Sequence, residues 1–245
     1  MPTTLGPNYP YPVPNSELIA THSLQKHFEG GFFAQNVALE SDSPSKVPAP
    51  QSAQVPQSDA LGGRVQHASG PGTELLYGSS GDEQVGEDRR LDATLIYYLL
   101  TPDSYRGKMH MNLHSTFHLH HAGRALYTLI RPAQGNGDEP TVRRVIMGSN
   151  SSLGEVTQLF VPGGCWKASE IPEEDMLLLA APEEDNDLKE RIGCLISEVV
   201  VPGWNPEQHQ FINEDKLRAM WGTKSGWEQY TKYIHPPQGI EYPDK

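Results

Sequence analysis

The chain has 245 residues, of which 36% are hydrophobic, together with 23 glycines and 21 prolines. This turn-rich composition is typical of many short strands, and the length suits one large β domain. The formal net charge of −12 at pH 7 disfavours a nucleic-acid partner, because no dense run of Lys or Arg offsets it locally.

The first ninety residues are predicted to hold an arm, a helix, a strand and a long loop. Five prolines in residues 1–15 indicate an extended arm, and the spacing of apolar residues predicts a helix over 15–27. A strand is predicted over 29–39, after a Gly-Gly turn. Residues 40–90 are mostly an insertion loop, because the segment 40–74 is rich in Ser, Pro, Gly and Gln and poor in residues that form a core.

A succession of strands is predicted from residue 91 onwards, with turn residues at the intervals of a sandwich or barrel. A helix is predicted over 213–222, inside a C-terminal extension that covers 213–245. Residues 182–191 are interpreted as a solvated connection, although their charge pattern also fits a helix. The predicted strands are 92–101, 108–114, 116–122, 124–132, 141–148, 157–163, 176–182 and 193–201.

Neither the cysteines nor the N-terminus indicates secretion or a membrane anchor. Cys165 and Cys194 are too few for a disulfide framework and are predicted to be small buried residues. The N-terminus lacks a basic start followed by an apolar run, and no stretch approaches the roughly 18 continuous apolar residues of a membrane span. We therefore expect a cytoplasmic protein without a membrane partner.

Five of the ten histidines lie between positions 110 and 121. In the predicted hairpin the even positions are polar and the odd positions apolar, which indicates one wet and one apolar face. The polar set is His110, Asn112, His114, Thr116, His118 and His120, and the apolar set is Met111, Leu113, Phe117 and Leu119.

Five blocks of the sequence, in order, resemble one branch of the cupin superfamily that carries a His-Pro-Glu-Gly-Gly-Tyr type of motif. The resemblance covers roughly residues 16–212 and implies a jelly-roll barrel, a double-stranded β-helix, with a small-molecule cavity and a homodimeric assembly. It also implies that the polar face of the hairpin, with His110 and Thr116, lines this cavity and that the apolar face packs against another sheet or a partner subunit. Phe28 replaces the usual Pro of the motif, and Trp204 replaces a Phe. The blocks are HFEGGFF (27–33), LDATLIYYLLTPDS (91–104), Gly123, GEVTQLFVPGGCWKAS (154–169) and VVVPGWNPEQHQF (199–211).

The metal-binding pattern of cupins is mostly absent from this sequence. Anchored on Gly123 and on the turn at 162–164, the pattern falls on four positions, of which only the first has a usual ligand: His110, Asn112, Thr116 and Lys167. An ammonium group in the last position is a poor ligand. We therefore expect no metal and no other cofactor. An alternative is a zinc, iron or copper site formed by His118 and His120 with a further imidazole.

These considerations predict an enzyme that transfers a proton on a small organic molecule, as an isomerase, epimerase, cyclase or dehydratase, in secondary metabolism. The alternatives are a metal-dependent oxygenase or hydrolase and a binding protein without turnover. Glu29 also fits a role as a turn carboxylate, and Tyr98 and Trp166 fit core packing equally well. The candidate catalytic residues are Glu29, His110, His118 and Lys167, and the candidate ligand-binding residues are Gln35, Tyr98, Asn112, Thr116, His120, Gln158 and Trp166.

Overall fold

The computed structural model describes residues 11–40, 65–66, 91–133, 135, 139–180 and 186–244. The predicted arm before residue 11 and most of the predicted insertion loop lie outside these residues. Within them, no helix combines the length and the apolar character needed to cross a membrane.

The larger of the two antiparallel sheets combines strands that were predicted after residue 91 with strands from the N-terminal region. β4 lies at its centre between β2 and β11, and the β2 ladder is interrupted by a bulge between Gln35 and Val37. In spatial order the sheet contains β1 (Gln25–Lys26), β2 (Phe32–Glu40), β4 (Leu91–Leu100), β11 (Cys194–Val201), β6 (Ser115–Gly123) and β9 (Gln158–Val161), and β3 (Val65–Gln66) pairs with β2.

The smaller sheet packs across from the larger one and completes the jelly roll. Its strands in spatial order are β12 (His209–Phe211), β5 (His110–Asn112), β10 (Trp166–Glu170), β7 (Ala125–Arg131) and β8 (Thr141–Met147). The chain passes from β6 to β7 through Gly123, which has φ +74°. A Cβ atom there would lie 1.9 Å from the carbonyl oxygen of Gly193, so this crossing requires glycine.

Apolar side chains fill one part of the space between the sheets, around Tyr127, Leu129 and Ile196. Two further layers cover the outside. The N-terminal segment and α1 (Asn15–Thr21) place Tyr11 and Leu18 against Leu99 of the larger sheet. On the smaller sheet, Trp166 packs against α4 (Glu214–Trp221) and the 3₁₀ helix Glu228–Tyr233. Burial of these apolar surfaces is the main source of stability.

Most predicted elements after residue 91 are present, and the prediction of buried cysteines is confirmed. The predicted strand at 176–182 is wrong. It is replaced by α2 (Glu173–Leu177) and the 3₁₀ helix Leu178–Ala180, because three acidic residues after Pro172 favour a helix N-terminus. The solvated connection predicted over 182–191 instead contains α3 (Asn186–Glu190), and the predicted helix at 15–27 ends at Thr21.

Candidate functional site

The wet face predicted from the histidine-rich segment points into the space between the two sheets. Thr116 and His118 of β6 are each only 1% exposed, and His110 and Asn112 of β5 are also buried. Phe117, at an odd position, is exposed on the outer face of the larger sheet. The interior at this end of the barrel is therefore polar.

Lys167 lies at the centre of one half of this interior. Its Nζ donates to the carboxylate of Glu198 and lies 3.1 Å from Nε2 of His118. Because an ammonium group can only donate, Nε2 of His118 accepts, and the ring proton is on Nδ1. Nδ1 lies 3.3 Å from the hydroxyl of Tyr127, and the hydroxyl of Thr116 lies 3.2 Å from Nε2. Both nitrogens of His118 are thus engaged.

Charge balance explains the protonation states in this half. Burial and the nearby Lys167 ammonium lower the pKa of His118 to about 3, so that its ring is neutral at pH 7. Burial alone would raise the pKa of Glu198, but the Lys167 ammonium outweighs burial and holds that pKa below its usual value. Lys167 and Glu198 therefore form a buried ion pair.

Glu29 is the centre of the other half and is surrounded by three imidazoles. His209 Nε2 donates to Glu29 Oε1 at 2.7 Å. His110 Nε2 lies 3.4 Å from Oε2, and His27 Nδ1 lies 3.6 Å from the same oxygen. Burial opposes ionisation of Glu29, yet the imidazoles outweigh it and hold its pKa well below the usual value. Burial lowers the pKa of His110 to about 4, so a carboxylate faces a neutral ring.

The two halves line one small cavity between the sheets. Its open space of about 10 Å³ is enough for about one water molecule. The cavity wall also includes Gly107 and Lys108, and Tyr242 donates a hydrogen bond to the carbonyl of the preceding residue, Arg106. The lining side chains are Glu29, Tyr98, Lys108, His110, His118, Tyr127, Lys167, Ala168, Ser169 and Glu198.

The structure brings together all four candidate catalytic residues and one candidate ligand-binding residue, Tyr98, in this cavity. Thr116 contacts His118 inside the barrel, and Asn112 is buried on the same face of β5 as His110. Tyr98 and Tyr127 are also part of the apolar core, so the core-packing interpretation of Tyr98 holds alongside its position in the cavity wall.

Besides Asn112 and Thr116, four candidate ligand-binding residues do not line the cavity. Gln35 is exposed beside the bulge in β2, and Gln158 is exposed on the outer face of β9. Trp166 precedes Lys167 in β10 and therefore points to the opposite side, where it packs against α4. His120 is half-buried and its Nε2 contacts the carbonyl oxygen of Gly123. His118 and His120 therefore do not form the alternative metal pair.

The residues at the metal-binding pattern of cupins do not fit a metal ion. Lys167 occupies one position with its ammonium bonded to Glu198, and the Thr116 hydroxyl contacts His118. A cation held by His110 at this point would face the Lys167 ammonium without a compensating carboxylate from the pattern. We derive no chemistry from a metal at these four positions.

Several residues that contact the candidate site were not among the predicted site residues, including Glu198, His209 and Tyr127. Glu198 carried a signal, because it is the one acidic residue in the apolar strand CLISEVVV. A lone carboxylate in such a strand needs a buried partner. His209 lies in the last block of the resemblance, 199–211, but no comparable signal gave it a role. It enters the site because β12 pairs with β5, with His209 opposite Asn112.

Two antiparallel sheets with this strand order, packed around a polar interior, define a jelly-roll protein of the cupin type. The family model described as "Cupin superfamily (DUF985)" matches residues 16–212. The chain belongs to this family.

Related proteins agree with this assignment. The uncharacterized protein YML079W of Saccharomyces cerevisiae is 34% identical over 223 residues, which cover 89% of this chain and 87% of that protein. A hypothetical protein from Leishmania major superimposes with a TM-score of 0.52 at 21% identity, over 92% of this chain and 97% of its own. Protein SO0799 from Shewanella oneidensis gives a TM-score of 0.55 at 17% identity, over 93% and 99% of the two chains. The last two likenesses concern the fold.

Proposed function

We propose that this chain is a cupin enzyme that transfers a proton on a small polar organic molecule, as an isomerase, epimerase, cyclase or dehydratase. The observation that carries the proposal is the ammonium of Lys167, 3% exposed and held between Glu198 and His118 in the cavity of the barrel. Buried groups held in one protonation state by their neighbours are typical of sites that perform acid–base chemistry.

In this proposal Lys167 stabilises the negative charge that develops on a substrate oxygen when a neighbouring carbon loses its proton. Glu29 and His110 are the candidate proton acceptors, since both lie in the same cavity and are unprotonated at neutral pH. His118 is a positioning residue, because both of its ring nitrogens are engaged and it acts through Lys167.

A substrate larger than a water molecule enters only if part of the cavity wall moves. The wall at Gly107 and Lys108 is the candidate, because the side chain of Lys108 is half-buried and its ammonium contacts the rings of Phe211 and Tyr242, 4.1 Å and 6.0 Å from the ring centres. Opening requires the hydrogen bond from the Lys108 N–H to the carbonyl of Glu29 to break. Tyr242 donates a hydrogen bond to the carbonyl of Arg106 and so covers the start of this segment. Opening here would expose Glu29 and Lys167 together.

Deuterium exchange tests the proposal without knowledge of the product. The purified protein is incubated in D₂O with a panel of small hydroxycarbonyl compounds and sugars, and NMR follows deuterium incorporation at carbon. We expect exchange on at least one compound, and at least about a 100-fold slower rate in Lys167→Met, because a group that stabilises transition-state charge is worth this much or more. His121→Ala, which changes a histidine on the outer face, is the matched control.

Two outcomes contradict the enzyme proposal. Exchange that is unchanged in Lys167→Met would exclude this residue from the chemistry. Binding of a compound, detected by saturation-transfer NMR, without exchange or conversion would favour a binding protein without turnover. A native ligand retained through purification and identified by mass spectrometry would narrow the panel.

We also propose that a second copy of this chain covers the outer face of the larger sheet. Phe117 and Phe160 are 44% and 49% exposed there, with ring centres 5.0 Å apart, and Leu119 and Val201 extend the same apolar surface. A contiguous apolar face of this kind marks an interaction surface. Sedimentation should show a dimer for the wild type and a monomer for Phe117→Lys. A monomeric wild type would contradict the proposal.

A further inference from the structure

The half of the cavity around Glu29 contains an arrangement that the proposed proton transfer does not explain. Three imidazoles surround one buried carboxylate, but only His209 makes a hydrogen bond to it, at 2.7 Å. His110 and His27 approach Oε2 at 3.4 Å and 3.6 Å with their ring nitrogens. Within the described residues, Nδ1 of His27 has no hydrogen-bond partner, and the side chain is 6% exposed.

The orientation of His110 makes this arrangement specific. Its Nδ1 lies 3.0 Å from the backbone carbonyl of Lys108, which can only accept, so Nδ1 carries the proton. Nε2 is then a bare lone pair, and it faces the ionised carboxylate oxygen of Glu29 at 3.4 Å. Two acceptors that face each other in a buried site repel unless a donor or a cation lies between them. A backbone carbonyl that fixes the ring in this way is also the usual support of a metal-ligating histidine.

We propose that Glu29, His110 and His209 bind a divalent transition-metal ion. One ligand atom from each residue lies within 4.8 Å of the other two. Two imidazoles and one carboxylate form a donor set that proteins use for zinc and for iron(II), with coordination positions left open for water or a substrate. Ligand atoms at about 2.1 Å from an ion in tetrahedral geometry are roughly 3.4 Å apart, which matches the separation of His110 Nε2 and Glu29 Oε2.

Binding changes one hydrogen bond in the site. The proton that His209 Nε2 now donates to Glu29 moves to Nδ1 of the same ring, so that Nε2 becomes a ligand and the imidazole stays neutral. The distance between His209 Nε2 and Glu29 Oε1 increases from 2.7 Å to the roughly 3.4 Å that separates two ligand atoms of one ion, a shift of less than about 1 Å. The positive charge of the ion offsets the negative charge of the buried Glu29 carboxylate.

This site differs from the metal-binding pattern of cupins, with which it shares only His110. Glu29 comes from the Gly-Gly turn before β2, and His209 comes from β12 at the edge of the smaller sheet. Lys167 pairs with His110 across β10 and β5, but its ammonium is bonded to the carboxylate of Glu198, which offsets its charge. The inference bears on the proposed function, because Glu29 and His110 cannot accept a proton while they hold an ion; metal binding and deuterium exchange are therefore measured separately.

Metal titration of the full-length protein tests the inference directly. The protein is dialysed against a chelator and then against buffer, and Zn²⁺ or Co²⁺ is added while heat and the visible absorption of Co²⁺ are recorded. We expect one ion per chain. Glu29→Gln and His209→Ala should each weaken binding by at least about 100-fold, because loss of a ligand exceeds the 10- to 100-fold effect of losing a supporting contact.

Two control variants separate this site from other histidines and from the proposed chemistry. His121→Ala changes an imidazole on the outer face and should keep the affinity within about threefold. Lys167→Met removes the group that carries the proposed function, and because Lys167 pairs with His110 across β10 and β5, loss of its ammonium should leave Zn²⁺ binding intact or make it tighter. Because a cavity variant could unfold, histidine-ring ¹⁵N NMR of the wild type is the second measurement. Zn²⁺ should shift Nε2 of His110 and of His209 and leave His121 unchanged.

The outcomes are distinct. Stoichiometric binding that is lost in Glu29→Gln supports the inference, whether or not deuterium exchange is found. The inference is overturned if the wild type takes up no ion, in which case a water molecule alone bridges His110 and Glu29. It is equally overturned if binding persists in both Glu29→Gln and His209→Ala.

Discussion

The two halves of the cavity are equally buried but differ in how their polar groups are satisfied. Around Lys167, the ammonium is compensated by Glu198, and both nitrogens of His118 have partners. Around Glu29, the three imidazoles of the described residues give the carboxylate one hydrogen bond, from His209. Burial alone therefore does not identify a ligand site. In the half around Lys167 the ammonium and both ring nitrogens of His118 have partners, so this half is preorganised. In the half around Glu29 two hydrogen-bond acceptors face each other, which is an arrangement that an additional cation would stabilise.

The largest change in the free energy of unfolding from a single substitution is expected when the buried ion pair of Lys167 and Glu198 is broken. Lys167→Met leaves the Glu198 carboxylate buried without its ammonium, and such a loss typically destabilises a protein by about 3–5 kcal/mol. Denaturant unfolding followed by tryptophan fluorescence measures the change. The matched double variant Lys167→Met with Glu198→Leu removes both charges and should recover most of the loss.

Charge compensation around Lys167 is contradicted if Lys167→Met lowers the free energy of unfolding by less than about 1 kcal/mol, which is the size expected for an exposed ion pair. It is also contradicted if the double variant is as unstable as the single one. In that case the stability of this half would come from packing of the Lys167 chain rather than from charge compensation.

Both halves should also lose stability in mild acid, by an amount that grows with each pH unit below the unfolded-state pKa of histidine. His110 and His118 have folded-state pKa values of about 4 and about 3, below the value of about 6.5 in an unfolded chain. The unfolded chain therefore binds more protons below this value, so stability is full above about pH 6.5 and falls by up to about 1.4 kcal/mol per pH unit for each histidine. The lowered pKa values of Glu29 and Glu198 add a further loss below about pH 4.3.

Denaturant unfolding at a series of pH values from about 7.5 to about 4.5 checks this dependence across the window set by the unfolded-state values. In His118→Gln the slope below about pH 6.5 should be reduced, since one titrating ring is removed. A stability that is flat between about pH 6.5 and about pH 5 would show that these rings are protonated in the folded protein. Added Zn²⁺ should steepen the slope if Glu29, His110 and His209 bind it, because protons then compete with the ion.

Strand periodicity predicted a succession of strands and placed Thr116 and His118 on one face of β6. The resemblance to cupins implied that the strands form a jelly roll and that this face points inward. Lys167 was also predicted, since it follows a turn that anchors its position in the resemblance. These features are local, and local patterns are readable from one sequence.

Features that depend on register or on buried polar residues were not predictable in the same way. β10 was missed because its sequence is polar, with Lys167, Ser169 and Glu170, although the whole strand is buried. Gln35 was misplaced because a bulge shifts β2, and the sequence does not mark it. His209 reaches Glu29 only through a pairing of β12 with β5 that joins residues about a hundred positions apart.

The smallest expected effect concerns the hydroxyl of Tyr127, and it sharpens the description of the compensated half. Tyr127→Phe removes the partner of His118 Nδ1 at 3.3 Å, which should cost about 1 kcal/mol, because Oε2 of Glu198, 3.7 Å from Nδ1, remains as an acceptor. Thr116→Val removes the hydroxyl near the other nitrogen of the same ring. If the ring is held from both sides as a network, the two changes in free energy of unfolding are not additive and differ from their sum by at least about 0.5 kcal/mol. Strict additivity in this double-mutant cycle would mean that His118 is held by the Lys167 ammonium alone.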